Sequence, residues 1–182
     1  MIYILLADGF EEIEMITPLD MLRRAGIPVQ TVGITGEEVE GAHGIRIAAD
    51  ILPEDVKLEE AQGVILPGGM PGTTNLQGSD FVRNLVRHCA NETKLVGAIC
   101  AAPMILGELG LLENREAVCF PGFEEHLKGA TVKACPVAVD GNVITARGAG
   151  AAPEFGTELV NYFKGVGEGE KLLAQMQDPA YV

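Results

Sequence analysis

With 182 residues, 47% of them hydrophobic, and 23 glycines, the chain is long enough for one well-buried domain spanning 1–182 and short for two. Its formal net charge of -13 argues against binding a nucleic-acid backbone or an anionic membrane surface, both of which need a basic patch. No run approaches the roughly 18 apolar residues that span a bilayer, and M-I-Y-I-L-L-A is too short and lacks the basic start of a secretion signal, so a cytoplasmic protein is expected.

Apolar runs of four to seven residues alternate with longer amphipathic segments, which reads as strands alternating with helices. A strand at 2–7 leads through A-D-G-F-E-E into a helix at 11–25. Next come a strand at 28–32 and a short β piece at 45–48. The run G-V-I-L gives a strand at 63–66, followed by P-G-G-M-P-G at 67–72 and a helix at 79–90. The strand at 95–100 breaks at Cys100 into a helix at 103–109. Beyond it lie a strand at 117–120, a helix at 123–127, a β stretch within 132–139 that makes a hairpin or edge, and a strand at 143–146. Helices at 153–163 and 168–177 close the chain.

This order predicts a mostly parallel sheet covered on both faces. Ligands then bind beyond the carboxyl ends of the strands, where the βα loops converge. Those loops are glycine-rich or charged: A-D-G-F-E-E, P-G-G-M-P-G, the break at Cys100, P-G-F at Pro121 and R-G-A-G at Arg147.

Cys89, Cys100, Cys119 and Cys135 are widely spaced with no C-x-x-C, so reduced thiols are expected. His43, His88 and His126 stand far apart without zinc-ligand spacing, and no metal site is predicted. Among the cysteines, Cys100 carries the strongest signal. In K-L-V-G-A-I-C-A-A-P a strand breaks sharply into a helix, and N–H groups at a helix start favour an anion, lowering a thiol pKa. The window also fits a buried structural cysteine.

In the first helix, Glu11 and Glu12 lie in the first turn, where acidic residues complement the helix dipole. Glu14 precedes Pro18 by four residues, and Pro18 cannot donate to the Glu14 carbonyl, which favours a kink there. Turned inward, its carboxyl would be desolvated and would stay protonated to donate to a thiolate; turned outward, it is an ordinary surface carboxylate. Gly68 and Gly69 allow a main-chain N–H to approach a substrate, and the N–H groups of Gly69 and Ala101 together would make an oxyanion hole. P-G-G is also a common turn.

The ordered set G-F-E-E-I-E, V-I-L-P-G-G-M-P-G-T-T-N-L, V-G-A-I-C-A-A-P and I-T-A-R-G-A-G, running from Met1 to about Phe163, resembles the ThiJ/PfpI superfamily, in the clade of the Parkinson-associated deglycase and its bacterial relatives. The resemblance implies an α/β, flavodoxin-like three-layer sandwich with a mostly parallel central sheet. It implies a reactive cysteine at Cys100, an adjacent carboxylic acid at Glu14, and oxyanion donors at Gly69 and Ala101, with Gly68, Arg147 and His126 as supporting candidates. It also implies a cytosolic homodimer with no metal and no cofactor. Two departures matter. The protease branch has His directly after the cysteine, where this chain has Ala101, so peptidase activity is not expected. Clade members with dicarbonyl activity often have His before the proline matched by Pro121, where this chain has Phe120; His126 substitutes only if its helix turns inward.

Two functions follow from this likeness. One is a cofactor-independent cysteine enzyme acting on a small reactive carbonyl, of glyoxalase or deglycase type. The other is a cysteine-based redox sensor or stress chaperone without physiological turnover.

Overall fold

Along β1 (Ile2–Leu6) successive side chains enter opposite sides of a sheet, and both sides are apolar. Ile2, Ile4 and Leu6 join one buried cluster, while Tyr3 and Leu5 join another. That is the pattern of a strand covered on both faces. The computed structural model describes residues 1–180, so the last two positions of the expected domain lie outside the described residues.

After β1 the chain forms α1 (Glu12–Arg24), β2 (Val29–Gly33) and a hairpin of β3 (Glu38–Glu40) with β4 (Arg46–Ala48). Next come β5 (Gly63–Leu66), α2 (Gly72–Gly78), α3 (Asp80–Asn91), β6 (Leu95–Ile99) and α4 (Pro103–Glu108). The last third holds β7 (Glu116–Ala117), β8 (Thr131–Val132), β9 (Val137–Asp140), β10 (Val143–Ala146), α5 (Ala152–Lys164) and α6 (Glu168–Gln175). The main sheet has the order β2-β1-β5-β6-β10-β9. Its first five strands are parallel, and β9 lies antiparallel on the edge.

Met15, Met21 and Leu22 of α1, Phe155 and Leu159 of α5, and Leu172 and Leu173 of α6 cover one face. Val82, Leu85 and Val86 of α3, with Ile105 and Leu106 of α4, cover the other. Each such side chain contributes about 1.5–3 kcal/mol when fully buried. The result is the flavodoxin-like three-layer sandwich with a mostly parallel central sheet. The direction in which successive strands are added to the sheet reverses between β1 and β5, and the loops at that switch point and its neighbours form the site described below.

Several predicted elements differ. The strand expected at 117–120 pairs only at Glu116–Ala117, with β8 in a separate two-stranded sheet. Its remaining donors are used elsewhere: Val118 N–H donates to Thr145 Oγ1 at 3.0 Å and Phe120 N–H to the Cys100 carbonyl at 2.8 Å. Cys119 therefore lies in no strand, and Cys135 precedes β9. The β stretch at 132–139 is interrupted before Val137, where Pro136 has no N–H to pair. In place of a helix at 123–127 there is one 3-10 turn, Glu124–His126, confined between Gly122 and Gly129. Helix α2 was not predicted, since G-T-T-N-L-Q-G contains mainly weak helix formers; Leu76, fully buried, anchors it.

Candidate active site

Cys100 follows β6 with φ of 65°, a left-handed conformation that non-glycine residues rarely adopt. Its backbone is held on both sides. Cys100 N–H donates to the Ala146 carbonyl at 2.9 Å, and its own carbonyl receives the Phe120 N–H. Positive φ swings the half-buried thiol out of the strand direction, giving the predicted elbow. The N–H groups of Gly69 and Ala101 lie near enough to the sulfur to favour a negative charge on it.

Glu14 reaches the same place from α1, which runs through Pro18 without interruption. Its carboxyl is almost fully buried, 1% exposed, which decides between the two orientations left open by the sequence. Gly68 N–H donates to Glu14 Oε2 at 2.9 Å, and the Glu14 carboxyl and the Cys100 thiol adjoin, each near enough to shift the other's proton affinity. The start of α1 is tied to the same loop, with Glu11 N–H donating to the Gly68 carbonyl at 2.9 Å. Glycine is required at 68 because a Cβ there would lie 2.6 Å from both Cys100 Cβ and Glu14 Oε2. Gly69 has φ of 89° and is packed against the backbone of residues 9–11.

Burial pushes the Glu14 carboxyl up to about 7, against the pull of its bonds to Cys100 and the Gly68 N–H. The Cys100 thiol is pushed up to about 12, first by burial, then by the Glu14 charge and the bond to it. The N–H groups of Gly69 and Ala101 pull the other way but do not win. The expectation of a thiol lowered by N–H groups alone is therefore corrected. The two acids resist carrying two negative charges together. When the single charge sits on sulfur, the protonated Glu14 carboxyl becomes a donor to it and its repulsion disappears.

Two of the other thiols are less accessible. Burial raises Cys89 to about 11 and Cys119 to about 11, and both are almost wholly enclosed. Arg147 is exposed and lines a cleft beside Phe120, close enough to act on Cys119. His126 is half-buried, its ring 6.1 Å from that of Phe123 and tilted 41° to it, and its Nε2 3.8 Å from Glu125. No contact of its side chain with Cys100 or Glu14 is found among the described residues.

Glu12 departs from its expected dipole role. It is 3% exposed, and its Oε1 accepts the His43 N–H at 2.8 Å while its Oε2 lies 2.8 Å from His43 Nδ1. Burial works to raise the Glu12 carboxyl, but the bonds from His43 and nearby N–H groups outweigh it and hold it below its ordinary value. The same contact, with the nearby Glu11 charge, raises His43. Glu11, Glu12 and His43 bring ligand-type atoms within 4.8 Å of one another, a grouping no spacing in the sequence revealed. It fastens the β3–β4 hairpin to the start of the helix that carries Glu14.

Residues 1–162 match the model of the DJ-1/PfpI family. The chain belongs to the DJ-1/PfpI family. The DJ-1/PfpI relatives include Protein DJ-1 homolog B of Arabidopsis thaliana, 35% identical over 162 residues, covering 87% of this chain and 37% of that protein. This chain thus spans well under half the length of that relative. Glutathione-independent glyoxalase DJR-1.2 of Caenorhabditis elegans is 33% identical over 165 residues, covering 90% of this chain and 88% of that one. Among solved DJ-1/PfpI structures, oxidized Toxoplasma gondii DJ-1 superposes with a TM-score of 0.92 at 30% identity, covering 97% of each chain.

Proposed function

We propose that the chain is a cysteine enzyme that acts on reactive dicarbonyls without a cofactor, converting methylglyoxal to lactate. The observation that carries this reading is the buried Glu14 carboxyl beside the Cys100 thiol, with two main-chain N–H groups near the sulfur. An enzyme role in the family is supported by the relative named as a glutathione-independent glyoxalase.

In the proposed reaction the Cys100 thiolate adds to the aldehyde carbon, forming a C–S bond as the carbonyl π bond opens, and the new alkoxide takes the Glu14 proton to give a hemithioacetal, leaving Glu14 as a carboxylate. The N–H groups of Gly69 and Ala101 are available to the negative charge as it passes from sulfur to oxygen. Glu14 takes the proton from the former aldehyde carbon and returns one to the neighbouring carbon, leaving a thioester of lactate. Water then cleaves the thioester, releasing lactate and restoring the thiol. A carboxyl near 7 suits a group that both accepts and donates a proton at neutral pH. Removal of methylglyoxal by this route would also reverse its early adducts, which connects the glyoxalase and deglycase readings. The test is lactate formation from methylglyoxal, wild type against Cys100→Ser. Equal turnover in the two proteins would remove Cys100 from the mechanism.

A second reading, a redox sensor or stress chaperone, draws on the same atoms. A sulfinate at Cys100 would be held by the same donors, and the Toxoplasma gondii relative is described as oxidized. Turnover with reduced Cys100 favours the enzyme. A change in partner binding only after peroxide treatment favours the sensor.

A further inference from the structure

A cleft of about 340 Å³ is lined by Phe120, Pro121, Arg147, Gly148, Ala149 and Gly150. Its walls are immediate neighbours of the Cys100–Glu14 pair. Phe120 gives its N–H to the Cys100 carbonyl, and Gly148 lies between the Phe120 ring and Glu14. A Cβ at Gly148 would stand 3.2 Å from Phe120 Cδ2 and 4.0 Å from Glu14 Oε1. Glycine there keeps the passage between ring and carboxyl open.

Two features of the cleft have no structural partner. Phe120 is 47% exposed although it is the largest side chain of the lining. Arg147 is exposed in a chain with 13 basic and 26 acidic residues, where carboxylates are plentiful. Arg23, Arg24, Arg46, Arg83 and Arg115 each hold a carboxylate within 4.0 Å, whereas among the described residues Arg87 and Arg147 hold none, and of these two only Arg147 lines the cleft. Glu124 is engaged in accepting the Gly122 N–H at 2.7 Å, and burial opposes the charge of Glu14. Methylglyoxal has neither a charge for Arg147 nor a body large enough to cover the Phe120 ring.

We propose that this cleft selects dicarbonyl substrates that carry a carboxylate on an apolar, planar body, the body lying against Phe120 and the carboxylate received by Arg147. The aldehyde end is then directed toward Cys100. Guanidinium and carboxylate match in a planar, two-bond geometry that an ammonium does not reproduce. This selectivity rests on the dicarbonyl chemistry proposed above only for what happens after binding, so recognition is tested apart from turnover.

Matched alkylating agents provide that test. N-phenyliodoacetamide and its 4-carboxylate carry the same reacting carbon, at which the Cys100 sulfur displaces iodide, and differ only in the remote charge. The ratio of their rates at Cys100, mapped by peptide analysis and divided by the ratio for N-acetylcysteine, is the readout. A general disturbance of the thiol cancels in it. Wild type should prefer the carboxylate about 5- to 20-fold, decreasing with salt. Arg147→Met should bring the ratio to one or below, since the protein's overall charge then repels the anion. A wild-type ratio at or below one, or a preference that survives in Arg147→Met, would overturn the proposal.

The same comparison is then made between phenylglyoxal and 4-carboxyphenylglyoxal as substrates, by kcat/KM. If the alkylation preference holds and neither dicarbonyl is turned over, the enzymatic reading fails while the recognition site stands. If both are turned over at equal kcat/KM and alkylation shows no preference, the selectivity alone is lost.

Discussion

Gly68 donates its N–H to Glu14 Oε2 at 2.9 Å, and this one buried bond joins the first helix to the loop after β5 at the side of Cys100. It occupies one carboxyl oxygen and helps to orient the other toward chemistry. Replacing the acid therefore separates its two capacities. Glu14→Gln keeps a donor for a thiolate but has no acidic proton, whereas Glu14→Leu has neither. Dicarbonyl turnover should fall about 10²-fold to 10⁴-fold in both. Thiol titration should show that only the Leu variant raises the Cys100 pKa strongly above the Gln variant's. Wild-type turnover in both would exclude Glu14 as the proton carrier.

The raised Glu14 carboxyl has a signature in stability. Folding moves it from an ordinary value of 4.5 to about 7, so between those values the native state holds a proton that the unfolded chain has lost. Stability from this group is fully present below about 4.5 and declines as pH rises through about 7. The decline amounts to roughly 3 kcal/mol at most. Urea unfolding of wild type and Glu14→Gln from pH 4 to 8 should show the difference between them changing in that window. A difference independent of pH would mean that the carboxyl titrates normally.

Gly68→Ala tests the close approach directly. The added methyl would meet Cys100 and Glu14 together, forcing the pair apart. Overpacking of this kind costs about 1–3 kcal/mol. We expect a folded protein with a lower melting temperature and at least a tenfold loss of turnover. Full activity would show that acid and thiol need no direct contact.

Limited alkylation should modify Cys100 before the other thiols. Cys89 and Cys119 are enclosed while Cys100 is only half-buried, and Cys135 already donates its thiol to the Val137 carbonyl at 3.1 Å. Peptide mapping after substoichiometric iodoacetamide measures the order. Earlier labelling of Cys135 would contradict the assigned site.

On the family resemblance we expect a homodimer with α1 at the contact. Ile13 and Ile16 of α1 remain 52% and 41% exposed, and Ile45, whose N–H lies 3.5 Å from Glu12 Oε1, is 50% exposed nearby. Light scattering after size exclusion should give twice the chain mass at micromolar concentration, and Ile16→Glu should shift it toward the monomer. A wild-type monomer would refute the expectation.

The parallel strands were readable in the sequence because burial on both faces makes each of them an uninterrupted apolar run, as in V-I-L or L-V-G-A-I. Cys100 was readable because its strand and helix signals meet within a few residues. Helix α2 was not, because its stability comes from the docking of Leu76 rather than from local preference. The burial of Glu12 left no trace either, since its partner His43 lies 31 residues along the chain. The orientation of Glu14 was not legible because the N–H that holds its carboxyl in the core belongs to Gly68, 54 residues away.

The Cys100 N–H ends on the Ala146 carbonyl, which belongs to the last strand of the central sheet to be synthesised. A nascent chain that has emerged only through α4 already carries the thiol, the acid and the P-G-G loop, but it lacks the strand that fixes the left-handed turn at Cys100. The elbow is therefore a product of completed folding rather than of local sequence. Until β10 is in place, the cysteine has the unconstrained geometry of any other, and the arrangement around its sulfur is withheld from the ribosome-bound intermediate.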